Sequence, residues 1–271
     1  MNKVFEIIKY IIIGIIQGIS EIFPISSSGH LAICYYLFNI NSNDQLNLTI
    51  FLHFASTIAL IVFFKDKLKV IIKDFFLYIF SNNKQYKNNF MLIIYLFFSC
   101  IPIGIVGLLL KDIVDSLFSS LLFISFGFLL TSVFLLIFDK VKYKDETYNF
   151  KNTFIPSMLQ SICIFPGVSR SATTLLTLKL FKIKETIAKE YCFLLLIPIS
   201  FSSFILSFFD ENILNIINSN NIVLYIISMI VTFVFTLLSL RLFFYKNIKI
   251  KYFILYLLSI SFLTFILYFF W

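Results

Sequence analysis

Charge is scarce in these 271 residues: 13% are Asp, Glu, Lys or Arg, against 60% hydrophobic residues and a mean hydropathy of +0.96. A soluble domain of this length has too little interior to hide that much apolar surface. The bilayer is therefore the expected solvent. Cysteine is scarce too: Cys34, Cys100, Cys163 and Cys192 lie singly in apolar segments with no paired spacing. This argues against a disulfide framework or a thiolate metal cluster, and they read as small buried hydrophobes. Histidine occurs only at positions 30 and 53. The one surplus is of positive charge, +8 overall, and its placement rather than its size decides what it means.

Charge-free stretches run over 45–64, 88–110, 116–138, 191–209, 212–240 and 252–271. Each is near or above the roughly 20 residues that cross a hydrocarbon core, which predicts six spanning helices. The loops 65–87, 139–151, 179–190 and 241–251 hold 18 of the 22 basic residues. The opposite turns carry Asp44, Asp112, Asp115, Asp210 and Glu211 against a single Lys111. That is the positive-inside distribution of a membrane protein, and no nucleic-acid partner is expected. Lys3 precedes an apolar run as in a signal peptide, but Glu6 and Lys9 interrupt it and no small-residue cleavage site follows. The segment is read as part of the mature chain.

Two further apolar regions, about 10–39 and 152–178, are broken midway by similar sequences. The first reads Glu21-Ile-Phe-Pro-Ile-Ser-Ser-Ser-Gly-His30 and the second Cys163-Ile-Phe-Pro-Gly-Val-Ser-Arg-Ser-Ala-Thr-Thr174. Both have Ile-Phe-Pro and then Ser-x-Ser, with one extra residue in the second copy. Proline stops a helix and small hydroxyl residues suit an irregular turn. Such backbone survives at membrane depth only where protein or a polar cavity satisfies it. Each region therefore reads as a re-entrant helical hairpin. The predicted fold is an all-α polytopic membrane protein, one integral membrane domain. Residues 1–138 form a hairpin plus three spans, and 139–271 repeat that order. Three spans is an odd number, so the second copy is inverted relative to the first, a transporter-like plan. Lys3 and Lys9 fit poorly with the N-terminus on the less basic side that this topology requires.

Ionisable side chains in apolar segments are functional candidates, because placing them there is costly. Glu21, His30, His53 and Arg170 qualify, and three of them sit at the breaks. Gln17 and Glu21 are four apart and share a helix face. Together they offer oxygens for a hard divalent cation, or a carboxylate that holds a proton. Ser26, Ser27 and Ser28 offer hydroxyls for a nucleophile or for phosphate oxygens. His30 is suited to move a proton. At the second break Ser169, Ser171 and Thr174 add hydroxyls, free helix-terminal N–H groups bind anions, and the Arg170 fork matches phosphate. The bland alternatives are a polar patch that merely satisfies a helix break, and an Arg170 paired with a carboxylate such as Glu21. His53 reads as a hydrogen-bonded packing residue outside the core set.

Gln17-x-x-x-Glu21, then Pro24-x-Ser-Ser-x-Gly-His30, with Pro166-Gly-x-Ser-Arg-Ser171-x-x-Thr174, resembles the undecaprenyl-diphosphatase (bacitracin-resistance) family. The resemblance covers almost the whole chain, including Phe193-Leu-Leu-Leu-Ile-Pro198. It implies hydrolysis of undecaprenyl diphosphate to the monophosphate carrier used in peptidoglycan synthesis, and resistance to bacitracin. It further implies a divalent cation, magnesium or calcium, at Glu21 and Gln17. The implied setting is the bacterial inner membrane, with the site opening towards the periplasm. Implied partners are the polyprenyl diphosphate lipid and membrane lipids; a homodimer is compatible with the sequence. Two positions depart from the usual pattern: Gln17, where many members have Glu, and Ala172, where glycine is usual.

The acid-phosphatase-like lipid phosphatases are excluded, because they need a histidine after the Ser-Arg segment and none follows Arg170. A polyprenyl-phosphate transporter or flippase is the rival from another class, suggested by the inverted repeats alone. Glu21, Ser27, His30 and Arg170 are the expected catalytic set, with Ser26, Ser28, Ser169, Ser171 and Thr174 binding phosphate. Two nucleophiles fit: Ser27 activated by His30, which is favoured, or a water activated by His30.

Overall fold

In the computed structural model the described residues are 3–207, 222–246 and 248–270, and they form twelve α-helices and two short 3-10 turns. The helices are α1 (Lys3–Ser20), α2 (Ser27–Phe38), α3 (Ser42–Phe63), α4 (Lys65–Ser81), α5 (Lys87–Leu109), α6 (Lys111–Phe118), α7 (Leu121–Lys140), α8 (Phe150–Gln160), α9 (Arg170–Leu180), α10 (Glu185–Ser207), α11 (Ile222–Tyr245) and α12 (Ile250–Phe270). Among the described residues six stretches are long and apolar enough to cross a membrane: Asp44–Phe63, Lys84–Leu109, Leu121–Lys140, Glu185–Ser207, Ile222–Tyr245 and Ile250–Phe270. They overlap the six charge-free stretches, of which 212–221 lies outside the described residues, and the chain is a multi-pass, all-α membrane protein. The segment 65–87 differs from a plain loop, because most of it is the amphipathic α4, packed on α5. The acidic pair Asp210 and Glu211 lies outside the described residues.

Both predicted breaks interrupt helix. α1 stops four residues before Pro24, and α2 restarts beneath Ser26, whose hydroxyl accepts from the Gly29 amide at 3.3 Å. After α8, a 3-10 turn (Ser161–Ile164) leads to Pro166, and α9 restarts beneath Ser169, capping the Ala172 amide at 3.3 Å. The ends of each helix pair are tied together. Lys9 Nζ, buried near the start of α1, donates to the carbonyl of Phe38 at the end of α2 at 3.1 Å. Glu146 and Ile183, flanking α8 and α9, form a one-residue parallel bridge. α1–α2 and α8–α9 are thus two hairpins whose breaks lie at their tips.

The tips meet at α7 through bare backbone. A Cβ on Gly127 of α7 would lie 2.1 Å from the Pro166 oxygen, and a Cβ on Gly29 would lie 2.8 Å from Gly167 Cα. Gly167 has φ +88, a conformation that L side chains rarely adopt. The buried Thr131 hydroxyl of α7 fixes the second tip. It lies 2.8 Å from the Gly167 carbonyl and 3.0 Å from that of Gly127, and accepts from the Ser169 amide at 3.0 Å. Around the tips, α1 packs on α11 and α8 on α5, α11 packs on α3 and α10 on α5, and α3 pairs with α10 as α7 does with α12.

Candidate active site

A small cavity of about 40 Å³ opens between the tips, lined by Glu21, Ser26, Ser27, Ser28, His53, Ser169, Arg170 and Ser171 among others. Glu21 organises it. Its Oε2 accepts from Ser27 Oγ at 2.6 Å and from Gln17 Nε2 at 3.1 Å, and lies 3.2 Å from His53 Nδ1. Its Oε1 faces Arg170 Nη2 at 3.7 Å, an ion pair longer than a hydrogen bond. The carboxylate is buried, so these groups replace the water that would otherwise solvate it. The other guanidinium nitrogen, Arg170 Nη1, is buried without a protein partner, as is Gln17 Oε1. A buried donor on an arginine that lines a cavity is a contact awaiting an acceptor.

Ser27 and Arg170 are each the first residue of a helix, so two helix N-termini converge here. First-turn amides have no intrahelical acceptor, and the helix dipole adds partial positive charge. With one guanidinium and hydroxyls from both breaks, the cavity is shaped for an anion rich in oxygen acceptors.

Three of the candidate residues do not line the cavity: Gln17 (which stands behind Glu21), Thr174 and His30. The Thr174 hydroxyl is buried against Gln160 Oε1 at 2.7 Å. His30 points away from Ser27: Nδ1 lies 2.7 Å from the Ser26 carbonyl and Nε2 2.6 Å from the Tyr256 hydroxyl, with the ring stacked on Tyr256. A carbonyl only accepts, so Nδ1 carries the proton and, in the neutral ring, Nε2 accepts from Tyr256. His53 is the reverse case. Set aside as packing on its sequence context, it lies in the cavity with Nδ1 3.2 Å from both Glu21 Oε2 and Gln17 Nε2. The signal available in the sequence was its ionisable ring in a charge-free span.

The model of the family described as bacitracin resistance protein BacA matches residues 10–263. The chain belongs to the bacitracin resistance protein BacA family. Undecaprenyl-diphosphatase 1 of Bacillus cereus is 32% identical over 276 residues, spanning 98% of this chain and 99% of the relative. The undecaprenyl-diphosphatase of Thermosipho melanesiensis is 38% identical over 263 residues, spanning 95% and 98%. That of Acholeplasma laidlawii is 32% identical over 280 residues, spanning 99% of each.

In this BacA-family chain no group of three or more His, Cys, Asp or Glu converges among the described residues. The carboxylate among the cavity-lining residues is that of Glu21, and behind it the buried Gln17 donates Nε2 to Glu21 and leaves Oε1 without a protein partner. That set fits a magnesium-like cation shared with ligand phosphates, since magnesium is usually held by one or two carboxylates plus substrate oxygens.

Proposed function

We propose that this chain hydrolyses undecaprenyl diphosphate to undecaprenyl phosphate and inorganic phosphate, returning the lipid carrier to peptidoglycan synthesis and conferring bacitracin resistance. The observation that carries the reading is Ser27 Oγ held 2.6 Å from the buried Glu21 carboxylate, opposite an arginine with a free buried nitrogen. A transporter site needs no hydroxyl hydrogen-bonded to a base.

The diphosphate lies between the tips. Arg170 Nη1, the serine hydroxyls and the first-turn amides of α2 and α9 take its oxygens and stabilise the charge that shifts on phosphoryl transfer. Ser27 gives its proton to Glu21 while Oγ attacks the terminal phosphorus. The bond to the bridging oxygen breaks, and the lipid monophosphate leaves with the proton from Glu21. Water then attacks the phosphoserine, giving its proton to Glu21, and phosphate departs as Ser27 recovers a proton. Glu21 thus takes the proton-moving role that sequence context suggested for His30. His30 positions the start of α2 through the Ser26 carbonyl, and His53 orients Glu21. A magnesium or calcium ion at Glu21 and Gln17 would offset diphosphate charge.

Loops 139–151 and 179–190 flank the second hairpin, and α8 is about 16 Å long at 1.5 Å per residue, about half a hydrocarbon core. The tips accordingly lie near mid-membrane, opening away from the basic face, which is the periplasmic direction in an inner membrane. The matched packing of α1 on α11 and α8 on α5 supports two inverted repeats. Impermeant thiol labelling, in a background lacking the native cysteines, should reach cysteines placed at 67 and 145 from one side and at 41 from the other. Labelling of 41 and 145 from the same side breaks that topology.

Purified protein in detergent should release inorganic phosphate from undecaprenyl diphosphate. Acid quench with substrate labelled in its terminal phosphate should leave acid-stable label on Ser27. Turnover without protein-bound phosphate at any pre-steady-state time would replace serine by water as nucleophile, and no release at all would remove the hydrolase reading.

A further inference from the structure

A second cavity lies apart from the tip site. It has a volume of about 210 Å³ on the face carrying the basic loops, and its floor is Pro24 and Ala172, residues of the two breaks. The two cavities therefore lie on either side of the hairpin tips. Three lysines line the larger one, Lys179, Lys189 and Lys246, against one carboxylate, Glu185. Lys189 Nζ sits 2.6 Å from Glu185 Oε1, which neutralises that pair. Lys179 and Lys246 have no ion-pair partner among the described residues.

Lys179 is the unusual one. It is 8% exposed, yet its ammonium is met by a single carbonyl, that of Phe138 at 2.8 Å, and by the rings of Phe138 and Tyr143 at 3.8 and 4.7 Å. A buried ammonium has three donors to satisfy and a desolvation cost that a carbonyl and two ring faces offset only in part. The walls between this charge and the floor are apolar, among them Leu135, Leu175, Ile250 and Phe253.

We infer that this cavity is a binding site for an anionic membrane phospholipid of the basic-face leaflet, its phosphodiester on Lys179 and Lys246 and an acyl chain along the apolar wall. Basic pockets between membrane helices on that face favour anionic headgroups. The lining contains no serine, threonine or arginine. Point charges without a fork or hydroxyl cradle match a phosphodiester monoanion rather than the more highly charged diphosphate taken at the tips. A lipid seated here packs against the backs of both breaks. The proposal rests on the membrane-spanning character of the chain and not on the hydrolytic reading.

The test is native mass spectrometry of the purified full-length chain, titrated with dioleoylphosphatidylglycerol or dioleoylphosphatidylcholine. Wild type should retain the anionic lipid at lower concentration than the zwitterionic one. Lys246→Gln and Lys179→Met should each weaken retention about fivefold, and Lys73→Gln, an exposed basic-face lysine outside the cavity, should not. If Lys179→Met fails to fold, Ile250→Trp, which fills the cavity from its partly exposed wall, must reduce retention instead. Equal retention of the two lipids, or equal weakening by Lys73→Gln and Lys246→Gln, overturns the site. Displacement by millimolar inorganic phosphate would make it a free-anion site, and retention of undecaprenyl phosphate alone would make it a carrier-lipid site; either result overturns the phospholipid assignment.

Discussion

At the first break Ser26 accepts from the Gly29 amide at 3.3 Å and its hydroxyl lies 3.2 Å from that of Ser28; at the second, Ser169 accepts from Ala172 at 3.3 Å and lies 3.2 Å from Ser171. Between the paired serines stands Ser27 in one copy and Arg170 in the other. The same helix start, used twice, thus delivers a hydroxyl to one side of the cavity and a guanidinium to the other. The backbones reach that common cap differently. The second break has the extra residue Gly167, which takes the left-handed conformation at φ +88 and leaves Ser169 relaxed at φ −82. The first break lacks it, and Ser26 itself adopts φ 70. A non-glycine residue held there stores strain on the order of 1–3 kcal/mol.

The division of labour is broken most severely by exchanging the two residues. The double variant Ser27→Arg/Arg170→Ser should be as inactive as Ser27→Ala, a loss of roughly 10³-fold or more in kcat, because Glu21 accepts a serine hydroxyl from the first break at 2.6 Å and meets the second only through Arg170 at 3.7 Å. Phosphate release within tenfold of wild type would show the two positions to be interchangeable. Glu21→Gln should fall in the same range, with the protein still membrane-inserted and folded.

Arg170→Lys retains the charge and loses the fork, so kcat/KM should drop about 10²-fold; unchanged kcat/KM would reduce the second break to a point charge. His53→Ala should cost about 10- to 100-fold, acting through Glu21. Its diagnostic is partial rescue by His53→Gln, which can still donate to the carboxylate, and equal loss in both variants would leave His53 a packing residue.

The smallest effect is the most discriminating for the backbone. Ser26→Gly relieves the strained φ while giving up a cap worth only a few tenths of a kcal/mol relative to glycine. It should raise unfolding stability by about 1 kcal/mol, whereas Ser169→Gly should lower it slightly. Thermal unfolding in detergent reads the sign of each, and equal signs would mean that the two turns are equally relaxed.

The spans were legible because each charge-free run is near or above the bilayer requirement, and the hairpins because Ile-Phe-Pro followed by Ser-x-Ser recurs. The α4 helix was hidden in a lysine-rich segment, whose charges read as loop while its apolar residues follow helical spacing. His53 on α3 and Glu21 in the turn after α1 are 32 positions apart, and no local pattern encodes a contact made by tertiary packing. His30 is the opposite case. Three residues from Ser27 it is close in sequence, but its ring is claimed by the Ser26 carbonyl at 2.7 Å and by Tyr256, 226 residues away, at 2.6 Å.

The contact of α7 with the hairpin tips also sets what inheritance can explore. Every single-base change that replaces glycine adds a side chain, and at Gly127 that side chain would begin 2.1 Å from the Pro166 oxygen. At Gly104 and Gly107, on α5, nothing lies within 4 Å of the added carbon. A randomly mutated gene library selected for bacitracin survival should accordingly recover replacements at 104 and 107 and leave position 127 untouched. The tip contact is a genetic dead end, whereas the open face of α5 tolerates drift.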